Sequence, residues 1–174
     1  MPMTRTADTT STPRIRLAIA ADVRVVAQIV EDAYRHYIPR IGRPSQPMLD
    51  DHATRVSDGV VWVIEEDGTI WGIVMLLPEP DHLLLDNIAV VPSRQRTGLG
   101  RRLLVFAEAE AVRRGYSEIR LYTNVLMTEN RRLYVAIGYE ETGRGTGAGF
   151  ERVFMRKRLS RPSTDTVLPV ADAA

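Results

Sequence analysis

The fold is decided by residues 86–104, which read DNIAVVPSRQRTGLGRRLL. The apolar run at its start predicts a strand that Pro92 ends, and a helix follows from about Leu99 to Arg114. Gly98 and Gly100 remove side chains from the helix entry, where the first backbone N–H groups have no partner within the helix. The helix dipole adds positive potential at the same end. The segment therefore predicts an anion site suited to a pyrophosphate.

Two better-known glycine motifs do not fit this segment. A nucleotide-hydrolase phosphate loop needs Lys and then Ser or Thr after its last glycine, but Arg101 follows Gly100. The dinucleotide fingerprint needs a small residue where Leu103 stands. From the segment alone, an ordinary tight helix entry with exposed arginines remains the alternative. The arginines in question are Arg94, Arg96, Arg101 and Arg102.

Composition sets limits on the function. The 174 residues suffice for one domain, and 44% hydrophobic with 26% charged residues is normal for a globular protein. The absence of cysteine excludes disulfides, thiolate metal sites and cysteine nucleophiles. A net charge of +1 gives no overall field towards nucleic acid or an anionic membrane. No apolar stretch is long enough to span a bilayer and no secretory signal is visible, so we expect a cytoplasmic protein without a membrane partner.

The chain divides into a central domain, residues 14–159, and two tails, residues 1–13 and 160–174, that we expect to be disordered. Within the domain the pattern predicts an α/β fold with a mixed sheet and the order βααβββαβαββ. Asp67-Gly68 marks a hairpin, and the prolines of 37–47 predict a loop there. The predicted strands are Ile15–Ile19, Val60–Glu65, Thr69–Leu77, Leu83–Val91, Glu118–Thr123, Tyr139–Arg144 and Glu151–Arg158, with helices from Asp22, at Met48–Ser57, at 99–114 and from a Thr128 cap to Ile137.

Two motifs resemble the GNAT superfamily of acyl-CoA N-acyltransferases. The first is Gln95-x-x-Gly98-x-Gly100, and the second, downstream, is Asn130-x-x-Leu133-Tyr134-x-x-x-Gly138-Tyr139. The order of elements is also similar to that family from Ile15 to about Leu159. The resemblance implies a mixed, mainly antiparallel sheet flanked by helices, with a splayed central strand pair. It also implies acetyl-CoA as co-substrate and no metal.

The resemblance assigns the coenzyme site residue by residue. Backbone amides of residues 96–101 would hold the pyrophosphate, and pantetheine would pair with backbone near Ile88 and Val90. A main-chain N–H there would polarise the thioester carbonyl. The predicted coenzyme-binding residues are Ile88, Ala89, Val90, Gln95, Arg96, Thr97, Gly98, Leu99, Gly100, Arg101 and Asn130.

Catalysis is assigned to Tyr134 and Asp86. The family counterpart of Tyr134 protonates the departing thiolate, and a phenol with an ordinary pKa near 10 keeps its proton until then. Simple packing is the alternative role for Tyr134. Asp86 is the candidate general base, because family members often carry a carboxylate here; an ion pair with an arginine is its alternative. Asn87 is expected to point to the opposite face, as the alternation of a strand requires, and it is a candidate substrate-binding residue.

The acceptor pocket is assigned to the loop between the first two helices, which borders the amine in GNAT-like folds. Arg40 or Arg43 could bind a substrate carboxylate bidentately and so select amino-acid-like amines. Two solvated loop arginines are the alternative. Residues 143–149, with glycine at every second position, lie in the closing hairpin and enter no helix, so we expect a mobile tip beside the acceptor site. The three histidines, His36, His52 and His82, lack metal-ligand spacing and are expected at the surface.

These assignments predict an N-acetyltransferase that moves an acetyl group from acetyl-CoA to a primary amine, with a small molecule ahead of other acceptors. A protein N-terminal or lysine acetyltransferase, and a non-catalytic acyl-CoA-binding domain, are the alternatives. Balanced charge and 6% aromatic residues give nucleic-acid binding little support. The resemblance leaves a homodimer open.

Overall fold

The computed structural model of the chain describes residues 11–160, so most of both predicted tails lies outside the described residues. Within this range, seven strands and five α-helices follow one another in nearly the predicted order. They are β1 (Arg14–Leu17), α1 (Val23–Tyr34), α2 (Ile38–Ile41), α3 (His52–Ser57), β2 (Val61–Glu66), β3 (Thr69–Pro78), β4 (Leu83–Val90), α4 (Leu99–Arg113), β5 (Glu118–Asn124), α5 (Thr128–Ala136), β6 (Glu140–Gly147) and β7 (Phe150–Arg158).

All seven strands form one sheet in the order β1-β2-β3-β4-β5-β7-β6. Only the central pair β4 and β5 is parallel, and the other five pairs are antiparallel. The parallel pair is joined through α4, as a crossover connection requires. The prediction of a mixed, mainly antiparallel sheet flanked by helices is confirmed.

Each face of the sheet is covered by a separate hydrophobic cluster. On one face α1 buries Val26, Ile29, Val30 and Ala33, the spacing of one helical stripe, against strand residues such as Ile73 and Val63. On the other face α4 buries the side chains of Leu99, Leu103, Leu104, Ala107 and Ala111. The two helices thereby fix the sheet from both sides, and the ends of the central strands stay free to form a site.

The central strand pair opens halfway along. β4 and β5 pair only over Leu83–Leu85 and Ile119–Leu121, although β4 continues to Val90 and β5 to Asn124. Beyond this point the two strands separate. The opening faces the start of α4, and it provides the splayed pair that the resemblance implied.

A β-bulge lies where the strands begin to separate. Leu76 pairs with Leu85 and Met75 with Asn87, so Asp86 is the extra residue in β4. The side chains of Asp86 and Asn87 consequently line the same cavity. The prediction that Asn87 points away from Asp86 is therefore wrong, because it assumed strict alternation through a bulged strand.

Three local predictions also need correction. The segment 37–47, predicted as a loop, contains the one-turn helix α2 at Ile38–Ile41, which accommodates Pro39 in its first turn. The predicted helix Met48–Ser57 starts only at His52, since Gln46–Leu49 form a 3₁₀ turn. Thr128 is the first residue of α5 and Met127 is its cap.

Over residues 11–160, no helix is both long enough and apolar enough to cross a membrane.

Candidate active site

A cleft of about 750 Å³ runs between the free half of β4, the start of α4 and the exposed side of α5. It contains most of the residues predicted to bind coenzyme, namely Ile88, Ala89, Val90, Arg96, Gly98, Gly100, Arg101 and Asn130. Three predicted residues do not line it: Gln95, Thr97 and Leu99. A single stretch of chain, from strand through turn to helix, thus supplies one complete wall.

The three residues outside the lining support the wall from behind. The Gln95 side chain donates a hydrogen bond to the Val90 carbonyl at 3.1 Å, and the Thr97 hydroxyl donates to the Arg94 carbonyl at 2.5 Å. Leu99 is buried in the core beneath α4. The side chains of Gln95 and Thr97 thus connect the turn to neighbouring backbone, and Leu99 connects it to the core.

The entry of α4 combines an unusual backbone with unpaired positive charge. Gly98, the cap of α4, has φ +93°, a conformation that other residues adopt only at a cost, and Arg96 nearby has φ +61°. Neither Arg96 nor Arg101 forms an ion pair with any residue of the range 11–160. Two free guanidinium groups and the helix N-terminus therefore face the cleft together.

The other two arginines of this segment are occupied elsewhere. Arg94 binds the Glu66 carboxylate at 2.7 Å and lies over the Trp71 ring at 4.6 Å. Arg102 donates to the Pro13 carbonyl at 2.8 Å. These contacts fasten the turn and the start of the domain, so of the four arginines only Arg96 and Arg101 line the cleft.

A second, smaller cavity of about 50 Å³ lies on the other side of the splayed strands. Its walls come from α1, the segment 45–47, the bulge of β4, the end of β5, α5 and the start of β7. The polar residues among them are Tyr34, Ser45, Gln46, Asp86, Asn87, Tyr122, Thr123, Asn124, Asn130, Tyr134 and Arg152. Both carboxylate and guanidinium groups thus face one small space.

Tyr134, Ile88 and Asn130 line both the cleft and the cavity, so the two spaces meet at these residues. Tyr134 is 7% exposed, and its ring packs edge-on against Tyr139 with centroids 5.6 Å apart. Its hydroxyl forms no hydrogen bond within the described part of the chain. Burial raises the pKa of the Tyr134 phenol well above its ordinary value. The Tyr134 hydroxyl is therefore protonated and available to donate a hydrogen bond or a proton where the cleft meets the cavity.

Asp86 is held at the bulge by a short hydrogen bond. The Tyr122 hydroxyl donates to its carboxylate at 2.6 Å, the length expected for a charge-assisted bond. Burial, together with this bond to Asp86, raises the pKa of Tyr122, so the phenol stays protonated. On the same wall Tyr34 donates to the Asn87 side-chain oxygen at 3.0 Å or to the Ile88 carbonyl at 3.1 Å. Tyrosines thus fix both predicted residues of the bulge.

The structure does not bring Arg40 or Arg43 to the lining of the cavity. Arg40 forms a bidentate ion pair with Glu129, with distances of 2.8 and 2.9 Å. Arg43 donates to the Gly149 carbonyl, and its guanidinium lies 3.9 Å from the centre of the Phe150 ring. The acceptor loop is therefore attached by these arginines to α5 and to the β6–β7 hairpin.

Sequence reasoning missed Arg152 and Ser45, both in the cavity lining. The Ser45 hydroxyl and the Asn87 side-chain nitrogen are buried without a partner in the described region. Arg152 looks like any other arginine of β7 in the sequence. The one available signal was the alternate glycines of 143–149, of which Gly143, Gly145 and Gly147 lie in β6 beside β7 and Arg152.

The histidines lie outside both spaces. His52 is 8% exposed, which overturns the prediction that all three are surface residues. Its buried ring lies at the start of α3, and burial lowers the pKa of the imidazole. Within residues 11–160 no group of three or more His, Asp or Glu side chains is placed to hold a metal ion.

Comparison with known proteins gives one family. Residues 57–141, just under half of the chain, match the model of the acetyltransferase (GNAT) domain. The chain is 34% identical over 88 residues to N-acetyltransferase family 8 member 3 of Rattus norvegicus, a match that covers 47% of this chain and 39% of the rat protein. It is 33% identical over 93 residues to probable N-acetyltransferase 14 of Xenopus tropicalis, covering 52% and 45%. The matches thus span less than half of these relatives.

Solved structures share the fold over nearly the whole described chain. The ribosomal-protein-S18-alanine N-acetyltransferase from Escherichia coli superimposes with a TM-score of 0.67 at 22% identity, covering 88% of this chain and 98% of that one. The PaiA N-acetyltransferase from Thermoplasma acidophilum, in complex with coenzyme A, gives 0.70 at 16% identity, covering 85% and 99%. A putative acetyltransferase from Salmonella typhimurium with acetyl-CoA gives 0.64 at 23% identity, covering 93% and 100%.

Proposed function

We propose that the chain is a member of the GNAT superfamily of acetyltransferases and that it transfers an acetyl group from acetyl-CoA to the primary amine of a small molecule. The observation that carries the proposal is the meeting of two spaces at Tyr134. A long cleft with a cationic end opens there into a small cavity that contains a carboxylate. A thioester donor in the cleft and an amine in the cavity would react at this junction.

The cleft suits coenzyme A along its length. The pyrophosphate would bind at the entry of α4, where Arg96 and Arg101 have no carboxylate partner in the described range 11–160 and Gly98 and Gly100 carry no side chain to hinder its approach. The pantetheine arm would follow the unpaired half of β4. The Val90 carbonyl already accepts one hydrogen bond there, from Gln95, and a carbonyl oxygen can accept a second.

In the proposed reaction the amine attacks the thioester carbonyl directly. The new C–N bond forms as the C–S bond breaks, and the departing sulfur takes the proton of the Tyr134 hydroxyl. The nitrogen loses its proton to Asp86, or through water beside it, and solvent later reprotonates Tyr134. Because burial raises the pKa of Tyr134, the phenol remains a proton donor through the neutral range. Its hydroxyl is not committed to another described residue.

The shape of the cavity supports a small acceptor. It is about 50 Å³ in volume and is closed by side chains from six separate segments, a size that suits a short primary amine. A protein substrate would have to insert a terminal residue or a lysine between the segment 45–47 and the β6–β7 hairpin. The experiment below tests that alternative directly, because it includes short peptides as acceptors.

The test is a panel of small amines and short peptides, each supplied with acetyl-CoA, with free thiol release and product mass measured together. We expect acetylated product from small primary amines and a matching amount of thiol. Tyr134→Phe serves as the control for enzymatic transfer. Product from peptides alone would support a protein acetyltransferase. Acetyl-CoA binding without transfer to any amine or peptide would show a non-catalytic binding domain and overturn the proposal.

A further inference from the structure

We propose that the acceptor carries a carboxylate next to its amine, as an α-amino acid does, and that Arg152 binds this carboxylate. The inference rests on the proposed function and adds to it the class of substrate. It comes from three observations: a guanidinium in the cavity that no carboxylate of residues 11–160 pairs with, a neighbouring strand face made of glycines, and a carboxylate held on the other side of one tyrosine.

Among the described residues, Arg152 is the only arginine in the lining of the cavity. It lies half-buried in β7 with its guanidinium over the Tyr122 ring, 4.1 Å from the ring centre. Over residues 11–160 its side chain has neither an ion pair nor a donated hydrogen bond. A guanidinium that is partly withdrawn from water is costly unless an anion meets it, and a carboxylate matches its two parallel donors.

The neighbouring strand is built to leave room for this side chain. In the β6–β7 hairpin Gly145 lies opposite Arg152, and Gly143 and Gly147 lie on the same face. A Cβ atom at Gly147 would come within 2.7 Å of the Arg152 guanidinium carbon, and one at Gly145 within 2.9 Å of the Phe154 ring. Gly147 thus leaves the space in which the Arg152 guanidinium lies against β6, and Gly145 leaves space for the neighbouring Phe154 ring.

The Asp86 carboxylate, which carries the opposite charge to Arg152, lies on the other side of Tyr122. That residue donates its hydroxyl to Asp86 while its ring supports Arg152, so a single phenol separates the carboxylate from the guanidinium. Asp86 and Arg152 form no ion pair with each other. An α-amino acid carries an ammonium and a carboxylate on one carbon, and it would place the first at Asp86 and the second at Arg152. A polyamine would instead bring a second cation against Arg152.

Two more polar groups favour a charged, hydrogen-bonding acceptor. The Ser45 hydroxyl and the Asn87 side-chain nitrogen are both buried at this cavity and unpartnered in the described chain. Buried polar atoms usually have partners, and a substrate carboxylate or a water that accompanies it would supply them. A purely apolar amine would leave both groups unsatisfied.

The experiment compares matched acceptors: a set of α-amino acids, their α-amides and the amines that lack the carboxyl group altogether. For the preferred side chain we expect kcat/KM for the amino acid to exceed that for the amide by about 10- to 100-fold, the scale of a hydrogen-bonded charge. Arg152→Gln should remove this preference by raising KM for the amino acid, while the neutral amines change by less than about twofold. Arg152→Lys should restore part of the preference.

A second pair of variants tests the position of the guanidinium without deleting it. Gly147→Ala places a methyl group where the guanidinium lies, and the flexible end of the side chain can move aside without unfolding the strand. Gly143→Ala is the matched control, because a Cβ there meets nothing within 4 Å. We expect only Gly147→Ala to reproduce the selective loss of Arg152→Gln. Arg156→Gln, on the same strand but paired with Glu140, should leave the preference unchanged.

The outcomes separate the inference from the function on which it rests. Transfer to neutral amines as efficient as transfer to amino acids, or an equal loss of all acceptors in Arg152→Gln, would overturn the carboxylate site and leave the acetyltransferase intact. No transfer to any amine would overturn the proposed function itself. Calorimetric binding of the N-acetylated amino acid to the CoA-bound protein, weakened by Arg152→Gln, gives support that does not depend on turnover.

Discussion

The cleft that we propose for coenzyme A takes most of its lining from one continuous stretch, residues 88–108, whereas the proposed acceptor cavity is lined by six separate segments of the chain. The cleft wall depends on backbone: a strand edge without a partner, two glycines and the first turn of a helix. The cavity depends on side chains, each positioned by a different element. Single side-chain substitutions can therefore alter the cavity while they leave the cleft wall unchanged.

The two regions also differ in the charged groups that line them. At the helix entry, Arg96 and Arg101 have no ion-pair partner among residues 11–160, so positive charge prevails there, as the proposed pyrophosphate site would require. The cavity instead holds Asp86 and Arg152 on either side of Tyr122. Binding in the cleft should depend on net charge and backbone, and binding in the cavity on the positions of single groups.

Tyr134 belongs to both regions, so its removal should have the largest effect. We expect Tyr134→Phe to lower kcat by about 10²-fold or more, the scale for the loss of a positioned proton donor. The acetyl-CoA dissociation constant should change little, because the ring and its contact with Tyr139 remain. Steady-state rates and calorimetry measure the two quantities. Normal turnover on a confirmed acceptor would make Tyr134 a packing residue.

Gly98→Val tests the cleft by itself. The residue has φ +93° and lines the cleft, so valine adds both backbone strain and a branched side chain at the anion site. We expect acetyl-CoA affinity to fall by about 10- to 100-fold in calorimetry. Gly59→Val is the matched control, because Gly59 also has a positive φ of +69° and open space but lies outside both regions. Equal affinities in the two variants would remove the helix entry from the coenzyme site.

Asp86→Asn tests the cavity by itself. The amide keeps the shape of the carboxylate and can still accept from Tyr122, but it cannot take a proton from the amine. We expect the rate at neutral pH to fall by about 10-fold. It should recover as the pH rises towards the pKa of the acceptor amine, where the amine is free without help. An unchanged pH–rate profile would place proton removal elsewhere or in bulk water.

Sequence reasoning succeeded where the determinants were local. The hairpin at Asp67-Gly68, the strand–turn–helix of 86–104 and the order of strands along the chain follow from short sequence patterns. The structure confirms all three. It failed at Asn87, because a β-bulge depends on the pairing of two strands and leaves no pattern in one of them. It passed over Arg152 because a cationic residue becomes distinctive only when the fold places it in a cavity without a counter-ion.

The loop arginines illustrate the same limit. The resemblance assigned residues 37–44, between the first two predicted helices, to one wall of the acceptor site, but the cavity is lined by the adjacent segment 45–47 instead. The sequence could not tell which arginine would face inwards. Arg40 meets Glu129 and Arg43 meets the β6–β7 hairpin, and both contacts join residues about 90 or more positions apart.

Arg43→Gln should have the smallest effect, and its pattern is more informative than its size. The guanidinium bridges the acceptor loop to the hairpin tip through the Gly149 carbonyl and the face of the Phe150 ring, which lines the cavity. An exposed cation–π contact contributes about 0.5–1 kcal/mol, so loosening this wall should raise KM about two- to fivefold. Because Arg43 supports the wall from outside, we expect the same factor for acceptors with and without a carboxylate. A selective rise for carboxylate-bearing amines would mean that the loop turns inwards when substrate binds, and that Arg43 rather than Arg152 receives the anion. Measuring both variants on the same matched acceptors decides between the two arginines.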